Sequence, residues 1–308
     1  MSLNETAATA ALEQAAHDTA PRALQAWLDG AFVDADSPQS PVTTHAMHYG
    51  SSVFEGIRSY ALDDGGAAVF RLPEHLERMR KGAELLGIRF DVEQASEATL
   101  ATLRRNGHRD AYIRPLAWCG TGSIGLDVGP QSQHLMVATF PTLVHIGGEG
   151  ARLAVSSWRR NPATSLPPLK LGGAYINSIL AKHEAKRRGF DEALFTDTDG
   201  YVVECTGANV FMVRDGRITA VEHRDALPGV TRDTLLKLTG AESRAVTLDE
   251  LKQADEVFIV GTAAEVARIA GIEERRFEAD RVGRDVAALY QRVVHGEEAR
   301  RAEWLTHV

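Results

Sequence analysis

Lys170 stands in surroundings that differ from those of every other lysine in the chain. It lies in LPPLKLGGAYINS, residues 166–178, between a proline-stiffened segment and a glycine pair, with no carboxylate nearby in sequence. The other lysines, at positions 81, 182, 186, 237 and 252, lie in charged stretches with helical periodicity. A desolvated lysine has a lowered pKa and can act as a nucleophile or a proton shuttle. The alternative is a surface-loop lysine beside a turn, because lysines are mostly exposed, and the stretch alone leaves both open.

Glu204 is the second candidate for chemistry. It lies in VVECTGANVF, residues 202–211, where the other residues of the predicted strand are apolar. A carboxylate buried there needs a cationic or N–H partner. An outward-facing position explains it equally well, since side chains alternate between the two faces of a strand.

Two short stretches could bind an anion through the backbone. LPGVTRDTL, residues 227–235, predicts a helix that begins near Thr231, and the free N–H groups of a helix N-terminus favour a phosphate. Plain N-capping by Thr231 is the alternative. GTAAE, residues 261–265, is a turn of small residues that lets backbone amides approach a ligand closely. A simple tight turn is the alternative there.

Several stretches match familiar functional motifs in part, but the surrounding residues do not match what those motifs require. GTGSIG, residues 120–125, matches the dinucleotide-binding spacing, but LDVGPQSQ follows instead of a helix, and no acid stands about 20 residues further on. The two histidines of HAMH, residues 45–48, lack a third ligand and favour a structural role over a metal site. No H-E-x-x-H, G-x-S-x-G or P-loop lysine occurs. We therefore expect no metal.

Composition narrows the class of protein. The 308 residues are 44% hydrophobic and 25% charged, with a net charge of −8, which disfavours nucleic acid as a partner. No apolar run approaches the ~20 residues that span a bilayer, and residues 1–20 lack the features of a secretory signal. Two cysteines far apart in sequence favour neither a disulfide framework nor a zinc site. We expect a cytoplasmic protein with a flexible segment at residues 1–20 and no membrane association.

The elements that must position these residues follow from turns and periodicity. Asp-Gly turns between apolar runs predict hairpins, and apolar residues at helical spacing predict helices. In the first half we expect hairpins at 26–36 and 56–72, helices at 72–88 and 92–106, and strands at 110–119 and 134–140. PTLVHIGGEG, residues 141–150, is a predicted linker. After it we expect a strand, a helix over 174–189, a mostly antiparallel strand region, and a long amphipathic helix from about Val282 that closes the chain.

Seven blocks of sequence, in order from Trp27 onward, resemble the class IV pyridoxal-phosphate aminotransferases, and most closely the branched-chain amino acid aminotransferases. They are HAMHYGSSVFEGIRSY, RLPEHLERM, AYIRPL, SSWRRN with KLGGAYINS, DTDGYVVECTGANVF, LPGVTRDTLLKL and ADEVFIVGTAAEV. The resemblance implies an α+β fold, the class IV aminotransferase fold of fold type IV enzymes, with two α/β domains. These would be a small domain at 21–140, an interdomain loop at 141–150, and a large cofactor-binding domain at 151–308.

The resemblance implies pyridoxal 5'-phosphate as the cofactor. Lys170 would bond covalently to its aldehyde and then move a proton, and Glu204 would keep the pyridine nitrogen protonated. Lys170 and Glu204 are thus the expected catalytic residues. The other cofactor-binding residues would be Arg78, Tyr175, Leu227, Val230, Thr231 and Thr262.

The same resemblance implies how small-molecule substrates, amino acids and 2-oxo acids, would bind. Tyr112 with the amides of Thr262 and Ala263 would hold the α-carboxylate, and Arg114 would hold the side-chain carboxylate of glutamate or 2-oxoglutarate. A structural ion pair is the alternative role for Arg114. The remaining substrate-binding positions would be Phe54, Tyr49, Arg58 and Leu126. Tyr49 and Leu126 would come from loops near or across the interface of a homodimer or a higher homo-oligomer.

Three departures bear on the substrate. Thr142 and His145 stand where branched-chain enzymes often carry an aromatic pair, and Ala208 stands where many relatives have glutamate. The resemblance as a whole nevertheless implies transamination of the branched-chain L-amino acids Leu, Ile and Val with 2-oxoglutarate, giving branched 2-oxo acids and L-glutamate. The alternatives of the same fold are a D-amino acid or (R)-amine aminotransferase and an aminodeoxychorismate lyase, and a catalytically silent binding scaffold is an alternative of another class.

Overall fold

The structure, a computed structural model, describes residues 23–141 and 150–308 of the chain, without the side chains of residues 299–301. The predicted segment at 1–20 and positions Thr142 and His145 lie outside the described residues. Within the described ranges, 17 strands form two sheets: β1 (Gln25–Leu28), β2 (Ala31–Asp34), β3 (Ser52–Phe54), β4 (Ile57–Ala61), β5 (Ala67–Phe70), β6 (Ala111–Cys119), β7 (Gln133–Pro141), β8 (Ala151–Val155), β9 (Glu192–Thr196), β10 (Val202–Cys205), β11 (Asn209–Arg214), β12 (Arg217–Val221), β13 (Glu242–Arg244), β14 (Glu256–Gly261), β15 (Glu265–Ile272), β16 (Arg275–Arg276) and β17 (Leu305–His307).

Seven α-helices pack against these sheets in the same ranges. They are α1 (His45–Tyr49), α2 (Leu72–Leu85), α3 (Val92–Asn106), α4 (Tyr175–Arg187), α5 (Val230–Thr239), α6 (Leu248–Lys252) and α7 (Arg281–Val294). Two 3-10 helices, Gly172–Ala174 and Ala299–Trp304, precede α4 and β17 respectively. The predicted helices at 72–88, 92–106 and 174–189 are confirmed.

The first sheet is antiparallel and has the strand order β17-β5-β4-β6-β7-β1-β2, with β3 also paired to β6. Both predicted hairpins are present, as β1–β2 and β4–β5. Asp29 and Gly30 both have positive φ, 48° and 97°, which the tight turn between β1 and β2 requires. Helices α2 and α3 cover this sheet. Pro73 lies in the first turn of α2, and the Asp91 side chain caps α3 by accepting from two backbone N–H groups.

The second sheet has the order β10-β9-β8-β15-β14-β11-β12-β13, with β16 beside β15. Its hairpins are antiparallel as predicted, but β8 runs parallel to both β9 and β15, and β12 runs parallel to β13. The sheet is therefore mixed. Its described core is apolar on both faces and includes fully buried Phe195, Phe211 and Phe258.

The prediction that a helix closes the chain is wrong. Helix α7 begins at Arg281, close to the expected Val282, but the chain continues through a 3-10 helix into β17, which pairs antiparallel with β5 of the first sheet. The polar sequence after α7 hides this strand, because three residues give no alternation to detect. The domain division at 141–150 stays a prediction. The second sheet lies after it, and the last described strand lies in the first sheet.

Candidate active site

A cleft that is open to solvent lies between the two sheets. Its walls come from α2 and β6 on one side and from the Lys170 loop, β10, β14 and the start of α5 on the other. The sequence-predicted residues that line it are Arg78, Tyr112, Lys170, Tyr175, Glu204, Leu227, Val230, Thr231, Thr262 and Ala263.

The Lys170 side chain points into this cleft and is not a freely solvated surface lysine. Its Nζ donates to the Tyr175 hydroxyl at 2.9 Å and lies 5.3 Å from the centroids of both the Phe54 and Tyr175 rings. Gly172, in the glycine pair after it, packs closely against β3, since a Cβ there would collide with the Ser52 hydroxyl. This contact places the backbone of the Lys170 loop against β3.

Glu204 is buried, so the outward-facing alternative is wrong. Its Oε1 pairs with Arg160 Nε at 2.9 Å, and its Oε2 accepts from the Leu227 N–H at 3.1 Å and from Asn209 Nδ2 at 3.3 Å. Burial raises the pKa of Glu204 to about 7, although Arg160, the Leu227 N–H and Lys170 all lower it. The carboxyl therefore has both the cationic and the N–H partner expected from its position in an apolar strand.

Helix α5 presents uncapped N–H groups to the cleft. It begins at Val230, one residue before the predicted start, and no side chain caps its N-cap residue Gly229. Because the first helical bond runs from the Asp233 N–H to the Gly229 carbonyl, the N–H groups before Asp233 have no partner within the helix. Capping by Thr231 is therefore wrong. The helix end has the chemistry of an anion site.

Arg78 is held beside that helix end by a buried carboxylate that the sequence analysis missed. Its Nε and Nη2 donate to the two oxygens of Glu55 at 2.6 and 2.9 Å, and its Nη1 donates to the Pro228 carbonyl at 2.9 Å. Nδ1 of the buried His75 lies 2.9 Å from Glu55 Oε2. Burial would raise the pKa of Glu55, but the Arg78 guanidinium holds it well below its usual range. Burial lowers the pKa of His75, so the imidazole is neutral near pH 7.

Arg160 is the other buried ionic residue that sequence reasoning missed. Its backbone neighbours Arg159 and Trp158 are exposed, whereas Arg160 itself is buried and lines the cleft. A signal was available, because a buried carboxylate at Glu204 requires a cation, and the chain has 34 basic residues from which to supply one. Nothing local in the sequence separates Arg160 from Arg159.

The turn between β14 and β15 brings Thr262 and Ala263 to the wall of the cleft. The turn packs closely, since a Cβ on Gly261 would meet the Gly207 carbonyl at 3.2 Å. Ala208 lies beside that carbonyl, is buried and also lines the cleft. Small residues are therefore needed on both sides of this contact.

Some of the predicted substrate residues lie at or beside the cleft, and others lie away from it. Tyr112 lines the cleft and accepts from Arg114 Nη2 at 2.7 Å, and the Arg114 guanidinium lies 4.7 Å from the centroid of the Phe54 ring. Arg114 forms no ion pair with any described residue. Arg58, in contrast, pairs with Glu265 at 2.9 Å and does not line the cleft.

Tyr49 and Leu126 lie on the surface of the single chain. Tyr49 is 47% exposed and donates to the Ile124 carbonyl, and Leu126 is 79% exposed. His45, from the HAMH motif, binds the same loop through the Gly125 carbonyl at 2.9 Å. His48 contacts a backbone carbonyl. The described residues contain no group of three His, Cys, Asp or Glu side chains that could hold a metal ion.

No helix in the described part of the chain is long and apolar enough to span a bilayer.

Comparisons with known proteins agree with this geometry. The family described as Amino-transferase class IV matches residues 52–272. The chain is 36% identical over 297 residues to a Pseudomonas aeruginosa branched-chain-amino-acid aminotransferase, covering 92% of this chain and 96% of the relative. It is 38% identical over 273 residues to the enzyme of the same name from Escherichia coli K12, covering 83% and 87% of the two chains.

Two solved structures are similar over almost the whole chain. The T.th. branched-chain amino acid aminotransferase, complexed with N-(5'-phosphopyridoxyl)-L-glutamate, matches with a TM-score of 0.87 and 42% identity, over 93% of this chain and 99% of that one. The branched-chain aminotransferase from Thermoproteus uzoniensis, solved with norvaline, matches with a TM-score of 0.88 and 37% identity over 92% and 99%. The family match over residues 52–272, with relatives of this identity and coverage, establishes that the chain belongs to the class IV aminotransferases.

Proposed function

We propose that the protein uses pyridoxal 5'-phosphate to transfer the amino group of branched-chain L-amino acids, leucine, isoleucine and valine, to 2-oxoglutarate. The products are branched 2-oxo acids and L-glutamate. The observation that carries the proposal is the convergence of the Lys170 amine, the buried Glu204 carboxylate and the uncapped end of α5 on one cleft. The similar branched-chain enzymes, one of them solved with a phosphopyridoxyl compound, support the same cofactor and substrate class.

The residues of the cleft fit a phosphorylated pyridine. Its phosphate would be bound by the Val230 and Thr231 N–H groups, the Arg78 guanidinium and the Thr262 hydroxyl, which combine a helix end with a fixed cation. The opposite end of such a molecule needs an anionic partner for a ring N–H, and Glu204 is a buried carboxylate within the same cleft.

Each side chain then has a separate task. The cofactor, when bound, supplies the electron sink for the reaction. Glu204 would keep a proton on the ring nitrogen and Leu227 would pack on the ring, while Tyr175 accepts from the Lys170 amine at 2.9 Å in this structure. The freed Lys170 amine would accept the proton from the substrate Cα in one half-reaction and return a proton to Cα of the new amino acid in the other, because an amine is a base strong enough for that transfer.

The proposed contacts with the substrate come from side chains and amides at the wall of the cleft and beside it. We assign the α-carboxylate to Tyr112 and to the Thr262 and Ala263 amides. The side-chain carboxylate of glutamate cannot be buried unpaired. Arg114 is half-buried and has no ion-pair partner among the described residues, so it is the cation available for that carboxylate. Phe54 gives an apolar wall for leucine-sized side chains, which gain about 1.5–3 kcal/mol on burial.

We also propose that the working unit is a homodimer or a larger homo-oligomer. The exposed apolar side chains Tyr49, Ile124 and Leu126 lie together around one loop, and surfaces of this kind mark protein interfaces. In such an assembly, one copy would contribute Tyr49 and Leu126 to the substrate pocket of its neighbour, near Arg58 of that neighbour. The buried free thiols of Cys119 and Cys205 are consistent with the cytoplasmic location that we propose.

The test is the rate of the half-reaction with a panel of L- and D-amino acids and (R)-arylamines. We expect L-leucine, L-isoleucine and L-valine to react fastest, and to need 2-oxoglutarate for continued turnover. A faster reaction with D-alanine or an (R)-arylamine would replace the proposal with the D-amino acid or (R)-amine alternative. Release of product without any 2-oxo acid would instead indicate a lyase.

A further inference from the structure

Arg160 and Glu204 form a buried ion pair at the wall of the cleft. The distance from Arg160 Nε to Glu204 Oε1 is 2.9 Å, and the two side chains are only 8% and 5% exposed. Resting on the function proposed above, we infer that Arg160 is a positioning residue, which favours the ionised form of Glu204 and fixes the orientation of its carboxylate. Arg160 would therefore determine the pH range in which the enzyme works.

The guanidinium is fixed independently of Glu204. Its Nη1 donates to Asn177 Oδ1 at 3.3 Å and to Ser178 Oγ at 3.2 Å, both on α4. Its Cζ also lies 5.6 Å from the centroid of the Phe195 ring. A planar guanidinium held by two acceptors and a ring has one orientation, so the position of its charge is set by α4.

The carboxylate is fixed in turn. Arg160 contacts one oxygen, and the Leu227 N–H and Asn209 Nδ2 contact the other. Leu227 and Asn209 are neutral donors, whereas Arg160 places a full positive charge beside the carboxylate and is the partner that lowers the pKa of Glu204 most. The negative charge on Glu204 therefore depends chiefly on Arg160.

The other charged groups near Glu204 cannot replace Arg160. Lys170 lowers the pKa of Glu204 from across the cleft, but its amine changes charge whenever it moves a proton. The Arg78 charge is offset by its bidentate contact with Glu55. Cys205, next in the strand, is a buried thiol whose pKa is raised well above its usual value by that burial, so it is neutral. Arg160 is thus the cation that persists through the reaction.

The direction in which the pKa of Glu204 changes on loss of Arg160 follows from the burial of the carboxyl group. A buried carboxylate without a cation binds a proton more tightly, so its pKa rises. Loss of Arg160 would leave Glu204 neutral at a pH where it is normally ionised, and higher pH would restore the charge. A change in packing alone would lower activity at every pH and would not be reversed by alkali.

The first experiment uses the cofactor-free protein, so that it does not depend on catalysis. Carbon-13 NMR of protein labelled at the glutamate carboxyl carbon follows the titration of Glu204, with Glu204→Gln to assign its signal. We expect Arg160→Gln to raise the pKa of Glu204 by about 1–3 pH units, Arg160→Lys to restore most of the original value, and Arg159→Gln, on the exposed neighbour, to change nothing. An unchanged titration in Arg160→Gln would overturn the inference.

The second experiment measures the half-reaction with L-leucine against pH in the loaded enzyme. We expect the acid limb of Arg160→Gln to move to higher pH by the same amount, with recovery of the rate at alkaline pH. A loss that is equal at every pH would contradict the inference. A wild-type enzyme that reacts with no amino acid would instead refute the proposed function, and the NMR titration would still test Arg160.

A third measurement covers the case in which Arg160→Gln folds too poorly to titrate. The double variant Arg160→Gln with Glu204→Gln removes both charges. If Arg160 acts as the counter-charge, thermal unfolding of the double variant occurs at a higher temperature than that of the single variant. A double variant that unfolds no later than Arg160→Gln would indicate a packing role and overturn the inference.

Discussion

Glu55→Gln tests whether one buried carboxylate holds Arg78 in place. The substitution keeps the volume of the side chain and one acceptor oxygen, but it removes the negative charge. Arg78 then remains buried with its Nη1 on the Pro228 carbonyl and without a counter-ion. His75 loses the carboxylate that its Nδ1 faces. The change is therefore confined to the charge at the centre of three buried polar side chains.

We expect a large loss in the free energy of unfolding, although the substitution changes only one heavy atom. Removal of one partner from a buried ion pair costs about 3–5 kcal/mol. Because the glutamine can still accept one of the two hydrogen bonds from Arg78, we expect a value near the lower limit, about 3 kcal/mol. That corresponds to about a 100-fold fall in the ratio of folded to unfolded protein.

Equilibrium unfolding in urea, on the cofactor-free protein at fixed concentration, measures this cost. Glu77→Gln is the matched control, because Glu77 forms an exposed ion pair with Arg80 on the same helix, at 2.7 Å, and exposed pairs contribute little. A loss in Glu55→Gln no larger than that of the control would refute the reasoning.

The pH dependence gives a second check. Since the pKa of Glu55 is held below its ordinary 4.5 in the folded protein, its contribution is present above pH 4.5. The difference from wild type should therefore shrink as the pH falls below that value.

Four further outcomes follow from the site and its supports. Lys170→Ala should abolish turnover and leave no borohydride-reducible adduct on the protein, and an adduct mapped to another lysine would contradict the assignment. Glu204→Gln should retain the cofactor but slow transamination about 10²-fold or more, so an unchanged kcat would exclude its role. Arg114→Ala should raise KM for glutamate and 2-oxoglutarate much more than for leucine, and an equal change in all three would point to a structural role. Asp91→Ala removes the cap of α3 and should lower the free energy of unfolding by about 1 kcal/mol, with no change in the half-reaction rate.

The local elements could be predicted because their signals are local. The Asp29-Gly30 turn predicts a hairpin between β1 and β2, and helical spacing of apolar residues predicts α2 and α3. The start of α5 could be predicted within one residue, because the Pro228-Gly229 pair is a local turn signal directly before the helix. Signals of this kind depend on neighbours within a few residues, which the sequence displays directly.

The long-range pairings could not be predicted from residues alone. Strand β8 lies between β9 and β15 and is parallel to both, a result of packing between segments far apart in the chain. The partners Glu55 for Arg78 and Arg160 for Glu204 have the same origin. A carboxylate in an apolar strand indicates that a cation is needed, but the choice between Arg159 and Arg160 depends on which side of the segment faces the cleft.

The pairing of β17 with β5 has a consequence for the protein during its synthesis. Leu305 lies opposite Phe70, so β5, which is synthesised early, can complete its pairing only after residues 305–307 have been made. All four residues of β5 are buried in the folded protein. Until residues 305–307 leave the ribosome, the nascent chain therefore carries an open, apolar strand edge of the kind that pairs with other chains. Slow or interrupted translation of the segment that contains β17 should expose that edge for longer, and the yield of active enzyme should then depend on chaperones that hold nascent chains.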